Sequence, residues 1–375
     1  MFLCRFYIII RVDERETAEI VSHERNYDIR KVIFMKKFLL PESGTYYKSN
    51  LHCHSTISDG GWTPEQIKEE YAKRGYSVIA YTDHDIMLTH HDLTDEKFLA
   101  LTGFEMEFNQ YKDGTVPKTC HICFIALDPE QRKQPNWHER YLFGNAPKYK
   151  DQVEVYEDET PLFRRYTPEC INGAIKNARE KGFFITYNHP VWSLETGENY
   201  NAYEGMHAME ICNFGCIVAG YLDYAPQAYD EMLANGKRIY CTATDDNHNR
   251  FPADHPRTGS FGGFTMIKAD KLEYRTITKA LEDGHFYASQ GPEIYDLWFE
   301  DGMIHVTCSP AERVLLTCGR RRADIALQSD TGEPVTHAAF KVYPEDKYVR
   351  LTVVNEKGLP ANTNAYFTDE LFDEN

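Results

Sequence analysis

The sequence has no long apolar run, no internal repeat, no low-complexity tract and no excess of positive charge. Each absence excludes something. A membrane-spanning helix needs roughly 20 apolar residues, and no segment approaches that, so a helical membrane protein is excluded. The N-terminal "MFLCRFYIIIRVDERE" is only briefly apolar, is broken by Arg5 and ends in charges. It lacks the apolar core and cleavage site of a signal peptide. Lys and Arg number 41 against 58 Asp and Glu, a net charge of -17. Such a field repels long polyanions, because nucleic-acid binding relies on phosphate neutralisation by Lys and Arg. It leaves room for a short phosphorylated substrate at a local cationic or metal site. The 10 cysteines are scattered, which reads as reduced, mostly buried thiols of a cytoplasmic protein. Cys120 and Cys123 form a C-x-x-C, but "TCHICFIAL" reads as a strand. Residues three apart on a strand face opposite sides, which argues against a redox or zinc pair.

What is present is an ordinary globular composition, 42% apolar and 26% charged, over 375 residues. That length holds one large domain plus a smaller one. Residues 1–45 read as an N-terminal extension. Met35 offers a second start just before the first regular element, so residues 1–34 are either upstream sequence from a misassigned start or a poorly packed arm. From about residue 50 to 285 strand and helix alternate. "TPEQIKEEYAKRG" is a helix with Thr63 as N-cap, Pro64 first, Gln66 completing a capping box and Gly75 as the stop. "TPECINGAIKNAREKG" is a second, from Thr167 to Gly182, and "TITKALEDG" a third. "YYKSNLHCH", "YSVIAYTDH", "FLALTGFEME", "TCHICFIAL", "FFITYNHP", "AMEICNF", "RIYCTATDDNH" and "GGFTMIKA" read as strands. Residues 129–166 are polar and aromatic without periodicity, an insertion that is a functional lid or a mobile segment. Near-continuous apolar strands alternating with helices predict a parallel sheet or an α/β barrel over 46–288. Residues 289–375 carry only short strands and turns, which predicts a small antiparallel β-sandwich, immunoglobulin-like in type.

The histidines fall on this map in a pattern. His52 and His54 lie two apart and so share a face. Asp59 follows in the loop, His84 ends the next strand, and Glu105 ends the third in "GFEME". His121 is in the fourth, His189 ends "YNHP", and Asp246 and His248 share one face past "RIYCTAT". Strand C-terminal ends are where α/β barrels build sites. Imidazole and carboxylate donors suit zinc, manganese or iron. These groups are too many for one ion and enough for two or three. Clustered ions activate a water as hydroxide and clamp phosphoryl oxygens. For His90, His91, His138, His207, His285 and His305 an ordinary hydrogen-bonded role is the plainer reading.

The ordered set H-x-H, D-H, G-x-E, strand histidine, N-H-P and D-x-H resembles the PHP (polymerase and histidinol phosphatase) domain family, over about residues 46–285. The resemblance implies a distorted (β/α)7 TIM-like barrel with a trinuclear metal centre. His52 and His54 would hold one ion with Glu105 and Asp246. Glu105 would bridge to a second ion on His121 and His189. Asp59, His84 and His248 would hold a third. Asp59 stands where some members have histidine. Glu107 competes with Glu105 for the bridging role, and the G-x-E context favours Glu105. Asp83 and Asp245 would orient neighbouring ligands. The implied activity is hydrolysis of a phosphate ester of a small metabolite, nucleotide or short oligonucleotide by a metal-activated hydroxide, with Glu105, Asp246 and His248 at the reacting centre. Alternatives are a 5′–3′ exonuclease or nucleoside 3′,5′-bisphosphate phosphatase, amidohydrolase-type activity, or a non-catalytic metal-binding scaffold. Arginine suits phosphate recognition, which makes Arg250, His255 and Arg257 in "NHNRFPADHPRTGS" substrate-binding candidates, with Asn213 beside them. A solvated loop is the bland reading of the same residues. Arg164 and Arg165 could reach over the mouth, but a solvated pair is the plainer reading. "CGRRR" at 318–322 reads as a charged turn.

Overall fold

Residues 36–373 are described by the computed structural model; the expectations for residues 1–34 lie outside them. In chain order the elements are β1 (Lys37–Phe38), β2 (Thr45–Asn50), α1 (Pro64–Ala72), β3 (Tyr76–Tyr81), β4 (Leu99–Lys112) and β5 (Thr115–Ala126). The insertion carries β6 (Lys133–Gln134) and β7 (Glu154–Val155), which pair with each other. There follow α2 (Pro168–Glu180), β8 (Phe183–Tyr187), α3 (Gly197–Tyr200), β9 (Ala208–Asn213), α4 (Phe214–Val218), α5 (Pro226–Ala234), β10 (Tyr240–Thr244), β11 (Phe264–Ala269), α6 (Tyr274–Glu282) and β12 (Phe286–Ser289). The last part is all strand apart from short helical turns: β13 (Ile294–Glu300), β14 (Met303–Ala311), β15 (Arg313–Cys318), β16 (Ala323–Leu327), β17 (Val335–Lys341), β18 (Tyr348–Val354), β19 (Pro360–Thr363) and β20 (Tyr366–Phe367).

The architecture is mixed α/β. One sheet runs β10-β9-β8-β5-β4-β3-β2-β11-β12-β19-β18-β15-β16, with β20 on β18. It is parallel in two blocks, β2-β3-β4 and β8-β9-β10, and antiparallel elsewhere. The expected parallel pairing is present within the two blocks, and β5 interrupts it. A turn with Asp113 and Gly114, at φ 50 and 75, joins β4 directly to β5 and leaves no crossover helix. Asp-Gly supplies the positive φ that such hairpins need. The two ends of the parallel part approach each other, because Cys53 forms a parallel bridge with Asn247.

Helices cover the sheet as their apolar faces dictate. In α1 the Thr63–Gln66 capping box forms as expected, and Ile67 and Tyr71 pack with Tyr76, Ile79 and Phe98. In α2, Ile171, Ala174, Ile175 and Ala178 fall at helical spacing and join Phe104, Phe124 and Ile185. Each fully buried Ile or Phe among them contributes about 1.5–3 kcal/mol relative to exposure. These layers hold the strand ends rigid, and the strand ends carry the site.

The C-terminal strands make two antiparallel layers. One is a separate sheet, β1-β13-β14-β17; the other is the continuation of the main sheet through β12 and β19. Ile294, Leu297, Ile304, Val306 and Phe340 from the first layer pack with Val314, Leu316, Val349, Leu351 and Val353 from the second. The sandwich expectation thus meets two layers around one core, but one layer is shared with the rest of the chain. Arg350 adds a two-point contact to Asp230, at 2.7 Å on both nitrogens. Of the extension assigned to residues 1–45, only residues 36–45 are described; there Lys37 and Phe38 pair with Phe299 and Trp298 and Leu40 is buried, so residues 37–40 pack with the sandwich.

Candidate metal centre

His52, Cys53 and His54 lie just beyond β2 in extended backbone, with the two imidazoles on one side. Cys53 points the other way, where its sulfur meets Asn247 Nδ2 at 3.3 Å. His84 follows β3, His189 follows β8, and Asp246 and His248 follow β10. Glu105 departs from the strand-end expectation: it is in the middle of the long β4, just past its last pairing with β3 at Thr102. His121, inside a strand as expected, lies on β5, which runs the other way. Both still reach the same place because the hairpin sets Glu107 opposite His121.

The chain brings all these groups together. His52 Nε2 lies 3.0 Å from His54 Nε2, 3.2 Å from Glu105 Oε1 and 3.2 Å from Asp246 Oδ1. Glu105 Oε1 also faces His121 Nδ1 at 3.1 Å and His189 Nε2 at 3.3 Å. Its Oε2 faces His84 Nδ1 at 3.1 Å and His54 Nε2 at 3.4 Å. Asp59 closes the other side, with Oδ2 3.3 Å from His248 Nε2 and Oδ1 3.9 Å from His84 Nε2. Glu107 stands apart, half-exposed, its Oε2 3.6 Å from His121 Nε2.

Donor groupings within reach of a single ion are His54, Asp59, His84 and His248; His84, Glu105 and His121; His52, His189 and Asp246; and His52, Glu105 and Cys123. Asp59, His84 and His248 fall together and take in His54. His52 and Asp246 share a group with His189, Glu105 and His121 share one with His84, and Cys123 joins His52 and Glu105. Cys123 is on the same strand face as His121, and burial pushes its thiol up to about 11. Cys120 and Cys123 are both buried free thiols.

A cation fits this donor set on the cluster's own terms. Glu105 Oε2, Asp246 Oδ1, His121 Nδ1 and His54 Nδ1 are buried without a hydrogen-bond partner. Buried polar atoms left unpaired are costly, and here several lone pairs converge on one another. The electrostatics agree. Burial opposes the charge of Glu105, yet the imidazoles of His52 and His121 outweigh it and hold the carboxyl well below its usual range. Burial likewise opposes charge on His189, and its hydrogen bond to Glu105 with the charge of Asp246 raises it to about 9. Strain is present too. Asp246 takes φ 48 and His189 φ 27, conformations that persist only where the surroundings impose them.

The support around the cluster is polar and fixed. Glu210 is fully buried and its Oε1 lies 2.7 Å from His52 Nδ1. It also accepts from Thr244 Oγ1, the His189 N–H and Asn213 Nδ2. Asp83 accepts from the Ser55 and Ser58 N–H groups and both hydroxyls, which shapes the loop leading to Asp59. Asp245 accepts from Tyr71 and from the N–H groups of Phe261, Gly262 and Gly263. Both therefore fix loops rather than touch the imidazoles. Gly215 brings α4 against this region; a Cβ there would sit 2.5 Å from the Asp245 carbonyl oxygen.

A cavity of about 470 Å³ opens over the cluster. Arg250 and Arg257 line it, with Phe143, Trp192, Val218 and Phe251 as its apolar wall. Arg250 is 66% exposed at its side chain and pairs with Asp59 at 2.9 Å. His255 is not in the lining; it stacks on Phe251 at 4.5 Å. Asn213 is also elsewhere than expected. It is fully buried, caps α4 through the Cys216 N–H and donates to Glu210 and Asp246, so its polar atoms are committed. The insertion reaches the mouth through Phe143, with Asn145 N–H bonded to Ser58 O at 2.7 Å. Arg164 is not solvated. It is buried against Asp85 as an ion pair.

No family model matches the chain. Over 36 residues it is 53% identical to a phosphoribosyl 1,2-cyclic phosphate 1,2-diphosphodiesterase of Eggerthella lenta, a match that covers 10% of this chain and 14% of that protein. PHP-like phosphoesterases are among its structural neighbours. A two-domain protein of Bacteroides vulgatus, named as containing a predicted PHP-like metal-dependent phosphoesterase, aligns over 88% of this chain and 98% of its own, at 16% identity and a TM-score of 0.43. An amidohydrolase of Chromobacterium violaceum aligns over 53% of this chain and 87% of its own, at 15% identity and a TM-score of 0.36. Among the described residues, no helix is long and apolar enough to cross a membrane.

Proposed function

We propose that the chain is a PHP-type metal-dependent phosphoesterase acting on a phosphate ester of a small metabolite, nucleotide or short oligonucleotide. One observation carries this reading: imidazoles and carboxylates from separate strands converge with buried donor atoms left unpaired, at the base of an open cavity edged by arginine. In this reading residues 46–288 are the catalytic unit, a distorted (β/α)7 barrel. The Cys53–Asn247 bridge supports closure of that barrel. Residues 289–375 are its β-rich companion. The free thiols among the described residues fit a cytoplasmic location.

The ligands would be His52, His54, Asp59, His84, Glu105, His121, His189, Asp246 and His248. Two or three zinc, manganese or iron ions held there would lower the pKa of a water and offset charge on the phosphoryl oxygens. Glu105 has the central place, since its two oxygens face different histidine groups. Asp246 and His248 flank it at the cavity wall. Glu210 and Ser193 would hold the His52 and His189 rings in fixed tautomers, as partners of ligating histidines do. Arg250 and Arg257 would meet the phosphoryl oxygens that do not react. Trp192 and Phe143 give the cavity apolar lining and would limit water there.

The test is a turnover screen of the purified chain with zinc, manganese or iron. Substrates are phosphomonoesters, nucleoside 3′,5′-bisphosphates, short oligonucleotides and N-acyl amides. Metal-dependent phosphoester hydrolysis is expected. Amide turnover without phosphoester turnover would overturn the reading in favour of amidohydrolase chemistry.

A further inference from the structure

A second cavity, of about 320 Å³, lies beside the first and shares Glu107 with it. Tyr111 of β4 forms one side. Arg140, Tyr141, Phe163 and Arg165 of the insertion form the other. The partition between the cavities is fixed: Arg164 pairs with Asp85 and donates to the Glu107 carbonyl at 3.0 Å. A ligand whose phosphoryl group reaches the histidine cluster, and whose remainder extends past Glu107, would enter this second space.

Its lining is unusual for this chain in two respects. The first is charge. In a protein of net charge -17, Arg140 and Arg165 are both exposed here, and among the described residues neither guanidinium has a carboxylate in ion-pair range. Arg164, between them in the same wall, is already neutralised. The second is exposed aromatic surface. Tyr111 is 78% exposed and Phe163 60%. The Arg140 guanidinium sits 5.5 Å from the Tyr141 ring and 5.6 Å from the Phe163 ring, and His138 meets the Phe163 ring edge-on at 4.7 Å.

Unpaired arginine beside exposed aromatic rings is the combination that holds single-stranded nucleotides. The guanidinium takes a phosphate and the rings stack on a base. The volume is within the range of small-ligand sites. We propose that this cavity is a nucleotide subsite. It takes the base and phosphate of the residue next to the reacting ester, so the favoured substrate is a short single strand of at least two nucleotides rather than an isolated phosphomonoester. This inference rests on the phosphoesterase reading of the first cavity.

Calorimetric titration of the full chain with 5′-phosphorylated dithymidylate, and separately with thymidine 5′-monophosphate, tests it. The unaltered protein should bind the dinucleotide about tenfold more tightly, the order expected for one stacked base. The double variant Arg140→Gln, Arg165→Gln should lose most of that preference and show a shallower salt dependence. Tyr111→Ala should lose part of it. These side chains are exposed, so folding is not at stake. Equal affinity for the two probes, or a preference unchanged in both variants, would overturn the subsite. Hydrolysis of both probes without a dinucleotide preference contradicts the subsite alone. A dinucleotide preference that persists in a chain turning over amides but no phosphoester contradicts the phosphoesterase reading and leaves the subsite standing.

Discussion

Glu210 Oε1 lies 2.7 Å from His52 Nδ1, and both side chains are fully removed from solvent. The contact fixes the His52 ring and leaves Nε2 to face Glu105, Asp246 and His54. A carboxylate behind a ligating imidazole raises its basicity, and its loss typically costs 10–100-fold in metal affinity. Glu210→Gln should therefore weaken metal binding by about that factor, read by competition with a chromophoric chelator. Unchanged affinity would remove Glu210 from the support of the site.

Arg164 and Asp85 form a buried ion pair, 4% and 2% exposed at their side chains. Breaking one side of such a pair costs about 3–5 kcal/mol, because the remaining charge is stranded. Arg164→Met should lower stability by that order in chemical denaturation. The double variant Arg164→Met, Asp85→Asn should recover part of the loss. If the double variant is no more stable than the single, charge stranding is not the cause.

His207 gives the fold an acid sensitivity away from the metal centre. Its Nδ1 accepts the Ile185 N–H at 3.0 Å, and its ring stacks on Phe184. Burial, with the nearby Arg179 charge, lowers its pKa from 6.5 to about 4. Below 6.5 the unfolded chain takes up a proton that the folded chain refuses. Stability from this group therefore falls as the pH drops from 6.5 to about 4 and levels off below that. His207→Asn keeps an acceptor near the Ile185 N–H and does not titrate. Its stability should decline less than that of the unaltered protein over this window, measured by urea midpoints at stepped pH.

Gly215 lets α4 approach the segment that carries Asp246. An added Cβ would lie 2.5 Å from the Asp245 carbonyl and 2.7 Å from that of Asp246, so backbone must move. Gly215→Ala should cut metal-dependent turnover at least about tenfold, since a misplacement near 1 Å costs about a hundredfold in rate. Turnover within twofold of the unaltered enzyme would show that the segment relaxes freely.

Much of the cluster was legible in the sequence because strand alternation and strand ends leave clear marks. H-x-H and D-x-H each place two groups on one side, G-x-E places one, and all three converge. Glu210 was missed, although a lone carboxylate in the apolar strand "AMEICN" signals a paired buried charge. Cys123, two residues from His121 on β5, shares its strand face and reaches His52 and Glu105, which the C-x-x-C spacing alone does not show. The antiparallel β4–β5 pair is legible only from the Asp113-Gly114 turn, which is short beside the strand–helix alternation on either side. Asn213 was placed in the cavity from chain position alone; its commitment to Glu210 and Asp246 depends on contacts with distant strands. Arg164 read as solvated because nothing local shows that it reaches Asp85.

The central claim is that one cluster binds metal and that turnover depends on it. The direct test is metal analysis of protein purified without chelator, beside phosphoester turnover, for the unaltered chain and for His52→Ala and Asp246→Ala. Two or three ions per chain are expected in the unaltered protein, with less metal and no measurable turnover in each variant. Full metal content together with full turnover in both variants would contradict the assignment.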